Sequence, residues 1–120
     1  LWYQVIDMPE REGNYLEASC ATMFTYVFAK GANKAYLDEK YLEIAKKSFS
    51  SIVENHVKID EDGFVNLYNT CSAAGLGGNP YRDGSFAYYI SEPTRINDFK
   101  GYGPLLYSAI ELEKSIIINK

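Results

Sequence analysis

Between Leu16 and Ala29 the chain places apolar side chains on almost every face a helix could offer. Leu16, Cys20, Met23 and Val27 share one stripe at steps of three and four, while Ala18, Ala21, Phe24 and Phe28 cover much of the rest. Lys30 ends the pattern, and Gly31 follows as a natural stop. A helix that is apolar all round has no face for water and must be covered on every side. That requirement points to a helix set inside a larger assembly. Asn14 sits where an N-cap belongs, and Glu17 three residues on completes a capping-box-like pair with Asn in the usual Ser or Thr place.

The next periodic segment, Asp38 to Val57, is of another kind. Tyr41, Ile44, Ala45, Phe49, Ile52 and Val53 form an apolar stripe, and Lys40, Glu43, Lys46, Lys47 and Glu54 occupy the opposite face. Glu43 and Lys47 make a favourable pair one turn apart. His56, near the end of this wet helix, reads as a solvent-facing partner of the helix dipole. An all-buried helix followed by a half-wet one predicts an inner-then-outer helical hairpin.

Lys58 to Tyr68 alternates around Asp62-Gly63, with Ile59 before and Phe64, Val65 and Leu67 after, which predicts a short β-hairpin. Gly75-Leu76-Gly77-Gly78 then opens a long loop running through Asn79-Pro80-Tyr81-Arg82-Asp83-Gly84-Ser85-Phe86-Ala87-Tyr88-Tyr89-Ile90. A polar stretch, Ser91 to Lys100, leads to a last helix predicted to start near Gly103-Pro104, with Pro in the tolerated first turn. Leu105, Leu106, Ala109, Ile110 and Leu112 carry it to about Lys114, and Ile116-Ile117-Ile118 either finish it or pack as a tail.

Composition narrows the function classes. A formal charge of −4 over 120 residues leaves no basic patch for nucleic acid, and no apolar run is long enough for a membrane span. Cys20 and Cys71 read as buried apolar side chains rather than a disulfide. One histidine and two isolated cysteines make no zinc site. The Asp62-Gly63 turn lacks the ligand ladder and closing Glu of a calcium loop. The glycine run lacks the Lys-Ser/Thr of a phosphate cradle. No nucleophile motif surrounds any Ser or Cys, so no catalytic triad can be assembled. The chain begins at Leu1 inside an apolar-aromatic run, which reads as an excerpt of a longer protein whose targeting signal would lie outside it.

The loop centred on Arg82 concentrates a guanidinium, a carboxylate and four aromatic rings. Ring faces stack on pyranose C–H surfaces and Arg grips carboxylates bidentately, so the segment reads as the wall of a sugar or acid site. Two readings stand for each of its charges. Arg82 either makes a structural ion pair or binds an anionic substrate. Asp83 either caps backbone N–H groups or orients a sugar hydroxyl. Trp2-Tyr3-Gln4 is either a core plug or a stacking platform with an amide beside it. Glu17 reads as a cap rather than a catalyst.

Four motifs in order carry a resemblance: Leu1-Trp2-Tyr3-Gln4-Val5-Ile6-Asp7; Gly13-Asn14-Tyr15-Leu16-Glu17-Ala18-Ser19; Ala74-Gly75-Leu76-Gly77-Gly78 with Pro80-Tyr81-Arg82-Asp83-Gly84-Ser85; and Lys100-Gly101-Tyr102-Gly103-Pro104. From Leu1 to about Lys114 the chain resembles the C-terminal third of glycoside hydrolase family 105, the unsaturated rhamnogalacturonyl hydrolases. Family 88, the unsaturated glucuronyl hydrolases, shares the Trp-aromatic-Gln lead-in. The resemblance implies an all-α fold, the C-terminal segment of an (α/α)6 barrel with a short β-hairpin and long loops, with the missing N-terminal part of the barrel as its partner. It implies a substrate with a 4,5-unsaturated uronic acid at its non-reducing end. An Asp would act as general acid and base in hydrating the double bond, with no metal or organic cofactor. That Asp lies upstream in the family, so the segment by itself is expected to be inactive. Trp2, Tyr3, Gln4, Arg82 and Asp83 carry over as candidate substrate-binding residues. A stand-alone helical binding or interaction module is the rival reading. Alone, the segment is expected to expose a broad apolar face and to associate or loosen.

Overall fold

The computed structural model describes residues 1–118, with side chains through Lys114. Three long helices dominate: α1 (Ala18–Asn33), α2 (Lys40–His56) and α4 (Phe99–Ile118). A one-and-a-half-turn helix, α3 (Phe86–Ser91), and four short strands complete the order: β1 (Val57–Ile59), β2 (Val65–Leu67), β3 (Thr70–Cys71) and β4 (Thr94–Arg95).

Helix α1 is the centre. It packs against both α2 and α4, which touch one another little. Its covered faces are lined by small residues, Ala18, Ala21, Thr22, Thr25 and Ala29, which let the neighbouring backbones come close. Against α2 the contacts run antiparallel. Thr25 Oγ1 and Ser48 Oγ are 2.7 Å apart, and Ala29 and Ala45 share a core cluster, while Ile52 joins Ala18 and Ala21 nearer the other end. Against α4 they run parallel. Gly101 lies against Ser19 Cα, Ser108 Oγ donates to the Thr22 carbonyl at 3.1 Å, and Asn33 Nδ2 donates to the Glu111 carbonyl at 2.8 Å. Two parallel helices, α1 and α4, therefore pack directly on one another, with the antiparallel α2 against another side of α1. Every decorated segment gathers at one end, around the N-termini of α1 and α4.

Within this segment α1 is covered on some of its faces only, and it leaves an apolar face open, as expected of the segment alone. Met23 and Phe24 are each 39% exposed and Val27 is 54% exposed, because α2 and α4 cover only the Ala/Thr faces. Leu106, Tyr107 and Ile110 of α4 are exposed as well. On α2 the buried line is Ala45, Ser48, Ile52 and His56, and the expected stripe residues Ile44 and Val53 are exposed. Glu43 pairs with Lys46 at 2.7 Å rather than with Lys47.

The helix ends differ from the sequence reading for local reasons. Asn14 does not cap α1. Its side chain donates to the carbonyls of Val5 and Met8 and accepts from the N–H of Val5, tying the lead-in turn. Glu17 caps instead, accepting from Ser19 and Cys20 N–H. Gly31 does not stop the helix, which runs to Asn33. It is small because Leu37 folds back over it, where a Cβ would sit 2.7 Å from Leu37 Cδ1. Helix α4 begins one turn before Pro104. Asp98 accepts from Lys100 N–H through its side chain and from Gly101 and Tyr102 N–H through its carbonyl. Pro104 then forgoes a single bond to the carbonyl four residues back. The backbone of Ile116 to Ile118 continues the helix, and the packing of those side chains lies outside the described residues.

The Asp62-Gly63 hairpin forms as read, Ile59 pairing with Val65 and Val57 with Leu67, with Gly63 at φ +85°. Its three-residue turn is closed by Asp60 Oδ1 accepting from Phe64 N–H. The β3–β4 pair, Thr70 with Arg95 and Cys71 with Thr94, closes the base of the long excursion, and its far part is α3, capped by Ser85. The sequence pattern reads as loop there, because six residues are too few for a helical period to show.

Candidate functional site

One buried carboxylate fastens the N-terminal end of α1 to β3. Glu17 is 4% exposed. Its Oε1 accepts from Ser19 N–H at 3.1 Å and Cys71 N–H at 2.9 Å, and its Oε2 from Cys20 N–H at 2.7 Å. Ser19 Oγ reaches both oxygens, at 2.8 and 2.9 Å. Burial pushes the carboxyl upward, but the donors from Cys20, Cys71 and Ser19 together outweigh it and hold Glu17 below the usual carboxylate value. Glu17 N–H also donates to the Trp2 carbonyl, so this one residue ties the lead-in, α1 and β3. Its lone pairs are spent on structure, which supports the cap reading over the catalytic one.

Around it lies a buried polar cluster. Gln4 Nε2 is 3.5 Å from Cys71 Sγ. Burial and the Glu17 charge push the Cys20 thiol up to about 12, and burial beside Cys71 raises Tyr15, so both stay protonated and unreactive. His56 is 2% exposed, which corrects the expectation of a solvent-facing partner. Its Nδ1 is 3.4 Å from Asn69 Nδ2, its Nε2 has no partner among the described residues, and burial lowers its pKa. The sequence offered no signal for this. The reversal follows from His56 lying on the buried line of α2 with Ala45, Ser48 and Ile52, where the chain turns directly into β1 and Tyr68 N–H bonds the His56 carbonyl.

Trp2, Tyr3 and Gln4 form one half-buried edge of this end. Tyr3 bridges Leu16, and the Trp2 ring meets Phe24 edge-on at 5.0 Å and lies 6.3 Å from Phe28. Arg82 and Asp83 sit in the separate excursion, whose root at Cys71 is fastened to Glu17. The two groups are anchored to one frame, and among the described residues no hydrogen bond or ring contact joins Trp2, Tyr3 or Gln4 directly to Arg82 or Asp83. Arg82 turns toward its own loop: Nε donates to the Gly77 carbonyl at 2.8 Å and Nη2 to Leu76 at 3.3 Å. Asp83 is exposed, and the Ser85 N–H that it accepts at 2.9 Å keeps its carboxyl low. Sequence reading missed Arg11, whose guanidinium covers the Phe86 ring at 4.1 Å and joins the lead-in turn to α3.

At the opposite end of α1 a cavity of about 340 Å³ is lined by Tyr26, Val27, Lys30, Gly31, Tyr36 and Leu37. Its walls are almost wholly hydrocarbon, and it lies far from the clustered polar groups. No group of three or more His, Cys, Asp or Glu suited to a metal occurs among the described residues.

This architecture has close counterparts among the glycoside hydrolases. Residues 1–116 match the family model Glycosyl Hydrolase Family 88, and the chain belongs to that family. A family 105 glycoside hydrolase of C. acetobutylicum superposes with a TM-score of 0.91 and 47% identity, over 95% of this chain and 32% of that one. A possible family 105 member from Salmonella enterica serovar Paratyphi A gives 0.70 and 25%, over 96% of this chain and 27% of its own length. Among curated proteins, Protein Atu3128 of Agrobacterium fabrum and the 24.9 kDa protein in the picA locus of Rhizobium radiobacter are each 35% identical over 117 residues, 92% of this chain. The chain spans about half the length of these curated relatives and about a third of the solved structures. The sequence resemblance to family 105, related to family 88, is thereby established.

Proposed function

We propose that this chain is the C-terminal segment of an unsaturated glycuronyl hydrolase, acting on pectin-derived rhamnogalacturonan oligosaccharides that end in a 4,5-unsaturated galacturonyl residue. The observation that carries the reading is the match to a family 105 hydrolase at 47% identity along 95% of this chain. The parallel, directly packed α1 and α4, with the antiparallel α2 against α1, suit an inner–outer–inner stretch of an (α/α)6 barrel. The exposed Met23, Phe24, Val27, Leu106, Tyr107 and Ile110 are then the faces that neighbouring helices cover.

In the proposed reaction an Asp outside this segment protonates C4 of the C4–C5 double bond, and water adds its oxygen to C5 while its proton returns to the carboxylate. The C5 hemiketal opens to a ketone, and the hemiacetal left at C1 expels the linked sugar. This segment supplies no acid or base. Glu17 is fully engaged by donors, and Asp83 is an exposed turn former. Its part is to build one end of the pocket.

The mechanism is tested by running the full-length protein on an unsaturated rhamnogalacturonan disaccharide in D₂O. Hydration places one deuterium on C4 of the released sugar, read by NMR. Cleavage that leaves the double bond intact would exclude this chemistry.

A further inference from the structure

Four aromatic rings occupy the Arg82 segment, and three are already engaged. Phe86 lies under the Arg11 guanidinium at 4.1 Å, and the Tyr88 and Tyr89 rings meet tilted at 57°, 5.2 Å apart. Tyr81 contacts neither a ring nor a cation among the described residues, and it is 79% exposed. From the glycuronyl-hydrolase reading, on which this rests, we infer that Tyr81 is a sugar-stacking residue and that Arg82 serves the ligand as a positioning residue, by holding the loop that presents this ring.

The loop is closed by its own bonds. Gly77 N–H donates to the Arg82 carbonyl at 2.8 Å, and Arg82 N–H to the Gly77 carbonyl at 3.2 Å. The Arg82 side chain folds inside this ring. Nε and Nη2, one edge of the guanidinium, are spent on the Gly77 and Leu76 carbonyls. The guanidinium lies close against two glycines, since a Cβ on Gly75 would lie 2.7 Å from Nη1, and one on Gly78 would lie 3.1 Å from Nη2. Gly77 and Gly78 take the left-handed φ values of +67° and +89° that wrap the backbone around the guanidinium. The outer limb is fastened likewise. Asp83 accepts from Ser85 N–H, Ser85 Oγ from Tyr88 N–H, and Tyr88 Oη from Gly75 N–H at 3.1 Å.

The Nε–Nη2 edge of the guanidinium is spent on its own loop. The loop also offers the Tyr81 ring on a pre-ordered backbone, and Leu76 of the same loop is 67% exposed. An aromatic face held outward at little entropic cost suits the C–H face of a pyranose. The root of the loop lies on Glu17, at the end that carries Trp2, Tyr3 and Gln4.

Steady-state kinetics of the full-length protein on an unsaturated rhamnogalacturonan disaccharide test this. Tyr81→Ala raises KM about tenfold with kcat within about twofold of wild type, and Tyr81→Phe restores KM. Arg82→Lys keeps the charge but lacks the rigid planar edge that spans the Gly77 and Leu76 carbonyls, so it raises KM as Tyr81→Ala does, and the double variant is no worse than either single one. An unchanged KM in Tyr81→Ala overturns the inference, whether or not the melting temperature falls. A wild-type KM in Arg82→Lys overturns the positioning role, because charge alone would then suffice. No turnover by wild type sinks the hydrolase reading and this inference with it, an outcome distinct from turnover that ignores Tyr81.

Discussion

Replacing Glu17 by Gln keeps the size and shape of the side chain and changes only what it offers its neighbours. Both carboxylate oxygens face backbone donors: Oε1 faces Ser19 and Cys71 N–H, and Oε2 faces Cys20 N–H. Whichever oxygen becomes the amide nitrogen, at least one N–H at a buried junction loses its acceptor and meets another donor. An unsatisfied buried donor costs about 1–3 kcal/mol, and the bonds that survive lose their charge assistance. The expected loss at pH 7 is about 2–3 kcal/mol, and Glu17→Ala, which forfeits the helix cap entirely, costs about 1 kcal/mol more. Because the folded carboxyl is held below its ordinary value of 4.5, its contribution is complete above pH 4.5 and is lost as pH falls through the folded pKa. Wild type and Glu17→Gln should therefore converge in stability at low pH. Urea unfolding of the full-length protein from pH 7 to pH 3 reads the gap. Hydrogen exchange of the peptide containing Cys71 should show faster opening in the variant. A gap below about 0.5 kcal/mol at pH 7, or one that does not narrow with acid, would refute the reasoning.

His56 gives a second acid limb. Buried and neutral, with its pKa below 6.5, it destabilises the fold as pH drops below 6.5 and the unfolded chain alone takes up the proton. His56→Phe should flatten the wild-type decline between pH 6.5 and the folded pKa, as read by unfolding at stepped pH, while changing stability at pH 7.5 by less than about 1.5 kcal/mol. Gly101→Ala should cost about 1–3 kcal/mol, read as a lowered urea midpoint, since its Cβ would lie 2.6 Å from Thr70 Oγ1 and 2.9 Å from Leu67 Cδ2, both fully buried.

The sequence carried the helical skeleton well because periodicity is a local signal. Helices α1 and α2 and the Asp62-Gly63 hairpin lie close to where spacing and turn chemistry put them. What it could not carry were choices made by distant partners. Glu17 is a cap as the sequence reads it, but Cys71, far along the chain, shares its oxygens, and Asn14 is drawn away from the capping position to Val5 and Met8. The β3–β4 pair is two residues long and has no pattern to read. Pro104 drew the predicted start of α4 toward itself, although Asp98 starts the helix a turn earlier. In the candidate site, Arg82 and Asp83 were legible as a charged turn. That the guanidinium folds inward depends on the closeness of Gly75 and Gly78, which a list of residue types does not encode.

The central claim is the reaction class, and the absorbance of the conjugated double bond follows it directly. The full-length protein should consume an unsaturated rhamnogalacturonan disaccharide with loss of that absorbance, and faster than an unsaturated glucuronyl disaccharide at equal concentration. A preference for the glucuronyl substrate would move the enzyme to the family 88 activity. Unchanged absorbance with both would contradict the account.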